Sequence, residues 1–252
     1  MRPLFRVYYS PAFQSAQLDR RRIVLPPSLL ALRSRTILFM TDLHASAMFP
    51  PRALERLIAQ ANALRPDLAL LGGDLAETAQ DQAEALPILA RLSAPLGAYA
   101  VMGNNDYHHT RIEGRALTDC LRDAGIKTLI DSEAVIPLNG CRIRIAGLNV
   151  YDKKTRAESP YFADSDERDF RIVMAHYPQS IPLHLDECAA PPHLGLSGHT
   201  HGGQFRLLGL TPFSIGFERG RQARLMPPSG WTDRSALTGE KPTRASTLPA
   251  RS

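Results

Sequence analysis

Short apolar runs recur along this 252-residue chain, each ending in small or polar residues, and amphipathic stretches of about a dozen residues separate several of them. That alternation marks an α/β protein, with buried strands as continuous apolar runs and helices carrying a 3.6-residue stripe. Thr36 to Met40 reads as the first buried strand. A helix over Arg52 to Leu64 follows, with Leu54, Leu57, Ile58, Ala61 and Leu64 at helical spacing and Pro50-Pro51 at its start. A second strand, Leu68 to Leu71, ends in Gly72-Gly73, and a second helix covers Gln82 to Leu92. A third strand, Ala98 to Met102, stops at Gly103, and a third helix, Gly114 to Ala124, is closed by Gly125.

The rhythm then changes. Val135 to Leu138, Asn139-Gly140 and Arg142 to Ala146 alternate with period two around an Asn-Gly turn, which is a β-hairpin. Tyr151 to Asp169 has no steady period and reads as a long surface loop or short helix. A strand at Ile172 to Ala175, a helix near Ser180 to Leu185, and strands at Leu194 to Leu196 and Gln204 to Leu208 complete the pattern. From Gln222 the chain is Pro, Ser, Thr, Gly and Arg with few apolar residues, the composition of a disordered segment. The expected organisation is an N-terminal extension over 1–34, one domain over 35–221 and a disordered basic tail over 222–252.

Charge sharpens this division. Residues 1–34 hold six Arg against one Asp, residues 219–252 hold seven Lys or Arg against two acids, and the stretch between holds 17 bases against 22 acids. Basic ends on an acidic body argue against nucleic acid as partner, as does the lack of interleaved aromatic and basic residues. Arg20-Arg21-Arg22 before Ile23-Val24-Leu25 offers a peripheral contact with anionic membrane, although such a cluster is more often a solvated segment. Three cysteines without close pairing argue against a disulfide framework and a structural zinc module. With no long apolar span and no signal-peptide pattern at Met1 to Gln17, the expected location is cytoplasmic, at most peripheral to the inner face of the membrane.

Four of the predicted strands run directly into ligand-rich segments. They are Asp42-Leu43-His44, Gly73-Asp74, Gly103-Asn104-Asn105-Asp106 and Gly198-His199-Thr200-His201, with His176 as a fifth element. Singly, each could be a cap, a turn or a strand face. Together, carboxylate, amide and imidazole ligands at strand ends suit two mid-row divalent cations that activate water for attack on phosphorus.

On these segments the chain resembles the calcineurin-like metallophosphoesterases over about residues 20 to 220. The bacterial YkuE-like phosphohydrolase and phosphodiesterase branch is echoed in Leu96-Gly97-Ala98-Tyr99-Ala100-Val101 and in Gly198-His199-Thr200-His201-Gly202-Gly203-Gln204. The resemblance implies a four-layer α-β-β-α sandwich of two mixed sheets flanked by helices. It implies one metal on Asp42, His44 and His201, another on Asn104, His176 and His199, and Asp74 bridging them. Two divalent ions, manganese, iron or zinc, would then support hydrolysis of a phosphodiester, phosphomonoester or pyrophosphate by a metal-bridging hydroxide. The expected partner is a phosphorylated small molecule or lipid head group.

Two departures bear on catalysis. The resembled family usually carries His where this chain has Asn105, and an amide can donate a hydrogen bond but cannot act as a general acid near neutral pH. Asp106 is expected to orient a neighbouring ligand, and His108 or His109, just beyond the loop, is a candidate for the missing acid, although an adjacent histidine pair on a loop is usually solvent-facing. The residues from Leu225 onward offer no β-branched strand to finish the second sheet. The alternative to an active hydrolase is therefore a catalytically weakened metal-binding module. Lys153, Lys154, Arg156 and Tyr161 form a candidate lid that grips a second phosphate, with an ordinary solvated insertion as the competing reading.

Overall fold

The computed structural model describes residues 20–149, 160–199 and 223–225. After a 3-10 turn at Pro27–Leu32 come strand β1 (Ile37–Met40), helix α1 (Pro51–Ala63), β2 (Leu68–Leu71), α2 (Ala79–Leu89) and β3 (Ala98–Ala100). The short helix α3 (Asn104–His108), a miniature hairpin of β4 (Arg111–Ile112) and β5 (Arg115–Ala116), α4 (Leu117–Asp123) and β6 (Ile126–Thr128) complete the first half. The second half holds β7 (Ser132–Leu138), β8 (Cys141–Leu148), β9 (Asp169–Ala175), α5 (Ser180–Leu183), β10 (Leu194–Ser197) and β11 (Ala223–Leu225).

Two sheets result, with strand orders β1-β2-β3-β6 and β11-β10-β9-β8-β7. The second is mixed, as expected: β8, β9 and β10 are parallel while β7 and β11 run antiparallel to their neighbours. The first is not mixed. All its described pairings are parallel, because helices separate each strand from the next and supply the crossover that parallel pairing requires.

Side-chain alternation along the strands divides the core. Leu68 and Leu70 of β2 pack with Tyr99, Val101, Ile143, Ile145, Phe170, Ile172, Met174, Leu194 and Leu196 between the sheets. Ala69 and Leu71 point the other way, onto Leu54, Ile58 and Ala61 of α1 and Ala85, Ile88 and Leu89 of α2. Each fully buried Leu or Ile here contributes roughly 1.5–3 kcal/mol. The outer face of the second sheet presents Val173 and Ala175 to Tyr161, Phe162 and Ile181.

Local chemistry explains several boundaries. Helix α2 begins three residues before its expected start because the Thr78 hydroxyl caps the Asp81 backbone N–H at 3.1 Å. The Asn139-Gly140 turn joins Leu138 to Cys141 with both turn residues at positive φ, 52° and 76°, as a tight hairpin demands.

Two expectations need correction. Ala223–Leu225, placed in the disordered tail, pairs with Leu194–Leu196 as an edge strand, so the second sheet does have a strand beyond β10. A backbone ladder can recruit a segment that lacks β-branched residues. Tyr161, a candidate lid residue, is instead buried beside Phe162 against β9. Lys153, Lys154, Arg156 and the predicted strand Gln204 to Leu208 lie outside the described residues. Among the described residues no helix is long and apolar enough to cross a membrane.

Candidate metal centre

The C-terminal ends of five parallel strands deliver the candidate ligands to one edge, where ligand sites of parallel α/β sheets form. Asp42 and His44 follow β1, Asp74 follows β2, Asn104 opens α3 after β3, and His176 and His199 follow β9 and β10. The loops after β1 and β2 are stitched together: the N–H groups of Asp42, His44 and Ala45 donate to the carbonyls of Gly73, Asp74 and Leu75, each at 3.0 Å.

Asp42, His44, Asp74 and His199 all adopt left-handed backbone conformations, with φ of 54°, 45°, 53° and 67°. Such conformations cost a non-glycine residue free energy and persist only where the surroundings enforce them. They turn the side chains away from the strand direction and into the edge between the sheets.

Asp42, His44 and Asp74 are all buried, and each offers a ligand atom within 4.8 Å of the other two. Asp74 is central. Its Oδ2 lies 3.3 Å from His176 Nε2 and 3.6 Å from His44 Nε2, and its Oδ1 accepts the Asn105 backbone N–H at 2.8 Å. Burial works to raise the Asp74 pKa, but His176, the Asn105 N–H and His44 together hold the carboxyl below its usual range. For His176 the balance runs the other way: burial would lower its pKa, while Asp74, Asp42 and the Gly72 carbonyl raise it.

The second cluster surrounds Asn104. Its Oδ1 lies 3.1 Å from both His176 Nε2 and His199 Nδ1. His176 is fixed by its Nδ1, 2.8 Å from the Gly72 carbonyl, and the Tyr177 ring packs edge-on against both imidazoles. Asp42 spans the two sheets by accepting the His199 backbone N–H at 2.9 and 3.0 Å.

Two glycines permit these approaches. A Cβ on Gly103 would stand 2.1 Å from Asp74 Oδ1, and one on Gly198 would stand 2.0 Å from Thr41 Oγ1 and 2.6 Å from Asp42 Oδ2. A side chain at either position requires its neighbours to move, Asp74 at Gly103 and both Thr41 and Asp42 at Gly198.

The structure thus brings together Asp42, His44, Asp74, Asn104, His176 and His199; His201 lies outside the described residues. Asp106 is wholly buried below the cluster, where it accepts the backbone N–H groups of Asp74, Leu75 and Gly103. Burial, helped by the Asp74 charge, pushes its carboxyl up against the pull of those donors. Asp106 therefore fixes the backbone that carries Asp74. The Asn105 amide donates to Glu77 Oε2 at 3.0 Å. His108 is exposed at the end of α3, and among the described residues no hydrogen bond or ion pair joins it to the cluster. Sequence reasoning passed over Glu77 and Tyr177. Glu77 lies three residues after Asp74 and Tyr177 directly after His176, and that adjacency was the available signal.

A family model described as calcineurin-like phosphoesterase matches residues 35–203. YkuE, an uncharacterized metallophosphoesterase of Bacillus subtilis strain 168, is 30% identical over 176 residues, 68% of this chain and 59% of YkuE. The phosphodiesterase YaeI of Escherichia coli K12 is 32% identical over 173 residues, 68% of this chain and 62% of YaeI. This chain spans about three-fifths of the length of these two relatives. Among solved structures, the NAD nucleotidase NadN of Haemophilus influenzae matches with a TM-score of 0.45 at 15% identity, over 66% of this chain and 38% of that one.

Proposed function

The chain belongs to the calcineurin-like phosphoesterase family, and on that premise we propose that it hydrolyses phosphoester bonds with two divalent metal ions held between its sheets. In this reading Asp42, His44 and His201 hold one ion, Asn104, His176 and His199 hold the other, and Asp74 bridges them. The donor set fits. Two buried carboxylates, Asp42 and Asp74, share one small volume with three imidazoles, and positive charge there offsets the cost of burying both anions. Imidazole-rich sites favour manganese, iron or zinc over magnesium. The outer coverings of the two sheets are read as the first and fourth layers of an α-β-β-α sandwich.

When bound, such ions polarise a phosphoryl oxygen and lower the pKa of water to near neutrality. The chain's own residues do the rest. Asp106 fixes the turn that carries Asp74, Gly103 keeps that turn free of side-chain bulk, and Asp42 ties the His199 segment to the first sheet. No role as acid is assigned to His108, given its exposure. Without a general acid, esters with good leaving groups are the favoured substrates. The substrate class is a phosphorylated small molecule or lipid head group. For peripheral contact with an anionic membrane, the exposed Arg20, Arg21, Arg22 and Val24 are the side chains that would meet lipid.

The observation that carries this reading is the position of Asp74 Oδ2 between His44 Nε2 and His176 Nε2, at 3.6 and 3.3 Å. Metal analysis combined with a phosphoester panel tests it. About two ions per chain, with chelator-sensitive hydrolysis of bis-p-nitrophenyl phosphate or p-nitrophenyl phosphate, is the expected result, and Asp74→Ala should lose both. The second reading, a weakened metal-binding module, draws on Asn105 in place of an acid. Bound metal with both esters left intact would favour it.

A further inference from the structure

Tyr177 touches every member of one proposed ligand set. Its ring meets His176 and His199 edge-on, at centroid separations of 5.5 and 4.0 Å, and the two imidazoles stand 5.2 Å apart at 70° to each other. Its hydroxyl lies 3.5 Å from Asn104 Oδ1, the atom that also stands 3.1 Å from His176 Nε2 and His199 Nδ1. Chain order sets this placement, since Tyr177 directly follows His176 just past the end of β9. The residue is half-buried, so part of it faces solvent at the edge where the ligands gather.

The ring and the hydroxyl have separate consequences. The ring packs against the two imidazoles, and a phenylalanine would do the same. The hydroxyl adds a proton donor. At 3.5 Å its contact with Asn104 is long for O–H···O, whose usual length is about 2.7–2.8 Å. In the proposed centre Asn104 Oδ1 commits a lone pair to an ion, and an amide oxygen has only two. A phosphoryl oxygen is the better acceptor, because hydrogen bonds to an anion are shorter and roughly twice as strong. The Asn105 amide stands on the other side of the centre: it donates to Glu77 Oε2 at 3.0 Å and lies 3.3 Å from His44 Nδ1. Tyr177 is thus placed to meet an anion on the Asn104 side, where the Asn105 amide is not directed.

We propose that the Tyr177 hydroxyl is a binding donor for the phosphoryl group of the substrate, on the Asn104, His176 and His199 side of the centre. The O–H turns from Asn104 to a phosphoryl oxygen when the substrate enters, and the proton stays on the phenol oxygen. The role is therefore one of binding and orientation, distinct from acid catalysis. It rests on the proposed metal centre, whose uptake of ions is measured in a step of its own.

The test uses the whole chain, loaded with Co²⁺ and freed of excess ion. Visible absorption during loading reads Co²⁺ affinity, and the change on adding inorganic phosphate reads phosphate affinity. Tyr177→Phe keeps the ring and removes the O–H. Its Co²⁺ affinity should match that of the wild type, while phosphate binds about 10–100-fold more weakly. Unchanged phosphate affinity in Tyr177→Phe overturns the proposal. So does a loss of Co²⁺ affinity as large as the loss of phosphate affinity, which would make the hydroxyl a support for Asn104. A wild type that takes up Co²⁺ and binds no phosphate overturns the proposal alone. One that takes up no Co²⁺ overturns the metal-centre reading, and this role with it.

Discussion

The Asp106 carboxylate accepts the backbone N–H of Asp74 at 2.8 Å, although the two residues lie 32 positions apart. It takes the N–H groups of Leu75 and Gly103 as well, at 3.1 and 2.8 Å, so one buried anion fixes both the turn after β2 and the entry to α3. Asp106→Asn keeps the shape but offers a single acceptor oxygen and places an amide donor against N–H groups. Hydrogen bonds to a charged group contribute about 1.5–3 kcal/mol each, so a stability loss of about 2–4 kcal/mol is expected, with weaker metal binding because the Asp74 turn loosens. Urea unfolding of the metal-free chain measures the first effect, and a loss below about 0.5 kcal/mol would contradict it.

What could be read from the chain before its structure divides along physical lines. The strands that lead into the candidate metal-binding segments were visible because parallel strands buried on both faces are continuous apolar runs, as in Leu68–Leu71. The residues Asp42, His44, Asp74, His176 and His199 stood out because their chemistry is unusual directly after such runs. Glu77 did not, because a Glu beyond a turn is ordinary until the Ala45–Ala76 bridge places it against His44. Strand β6 was missed for a similar reason: in Ile126–Thr128 only Ile126 is buried, and its identity as a strand comes from pairing with β3. The Ala223–Leu225 edge strand is likewise specified by its partner.

Gly103 offers a purely steric test of the site. Its φ is −94°, which any residue adopts, so alanine there adds no backbone strain. The added Cβ would meet Asp74 Oδ1 at 2.1 Å and the Asp74 backbone nitrogen at 2.4 Å. Gly103→Ala should therefore displace the Asp74 carboxylate and cost about 1–3 kcal/mol from overpacking. The expected signature is metal affinity that falls along with stability. Gly125→Ala is the contrast, since nothing lies within 4 Å of a Cβ there and its φ of +79° makes the cost one of backbone strain. Equal metal affinity in the two variants would remove the steric account of Gly103.

At the opposite end of the second sheet, His193 predicts a pH dependence. Its Nδ1 accepts the Arg171 backbone N–H at 3.0 Å, and its ring stacks on Phe170. Burial, with the Arg171 charge beside it, pulls its pKa from the ordinary 6.5 down to about 4. Between those values the unfolded chain binds more protons than the folded one, so stability rises with pH there. The contribution is complete above about pH 6.5 and is lost as pH falls toward about 4, by roughly 3 kcal/mol at most. His193→Asn, whose Oδ1 can replace Nδ1 as acceptor, should flatten this window. Urea unfolding at several pH values between 4 and 7 compares the two slopes, and identical slopes would assign the dependence to other groups.

Asn105 stands where the resemblance drawn from the sequence calls for a histidine, and its surroundings show what a histidine could do there. The Asn105 backbone N–H donates to Asp74 Oδ1 at 2.8 Å, a bond that does not depend on the side chain. The side-chain amide, by contrast, donates to Glu77 at 3.0 Å. An imidazole at this position can keep one N–H on Glu77 and turn its other nitrogen toward a leaving group, so Asn105→His should leave the Asp74 turn intact and add a proton donor. General acids contribute about 10²–10⁴ in rate, and the gain grows with the basicity of the leaving oxygen. Alkyl phosphate esters should therefore accelerate by about 10²-fold or more, while p-nitrophenyl esters change little. A plot of log kcat against leaving-group pKa should be shallower for the variant than for the wild type. Asn105→Ala removes the side-chain contact with Glu77 without adding an acid, so it should leave that slope unaltered. Parallel plots for wild type and Asn105→His would mean that proton transfer to the leaving group is not what this loop lacks.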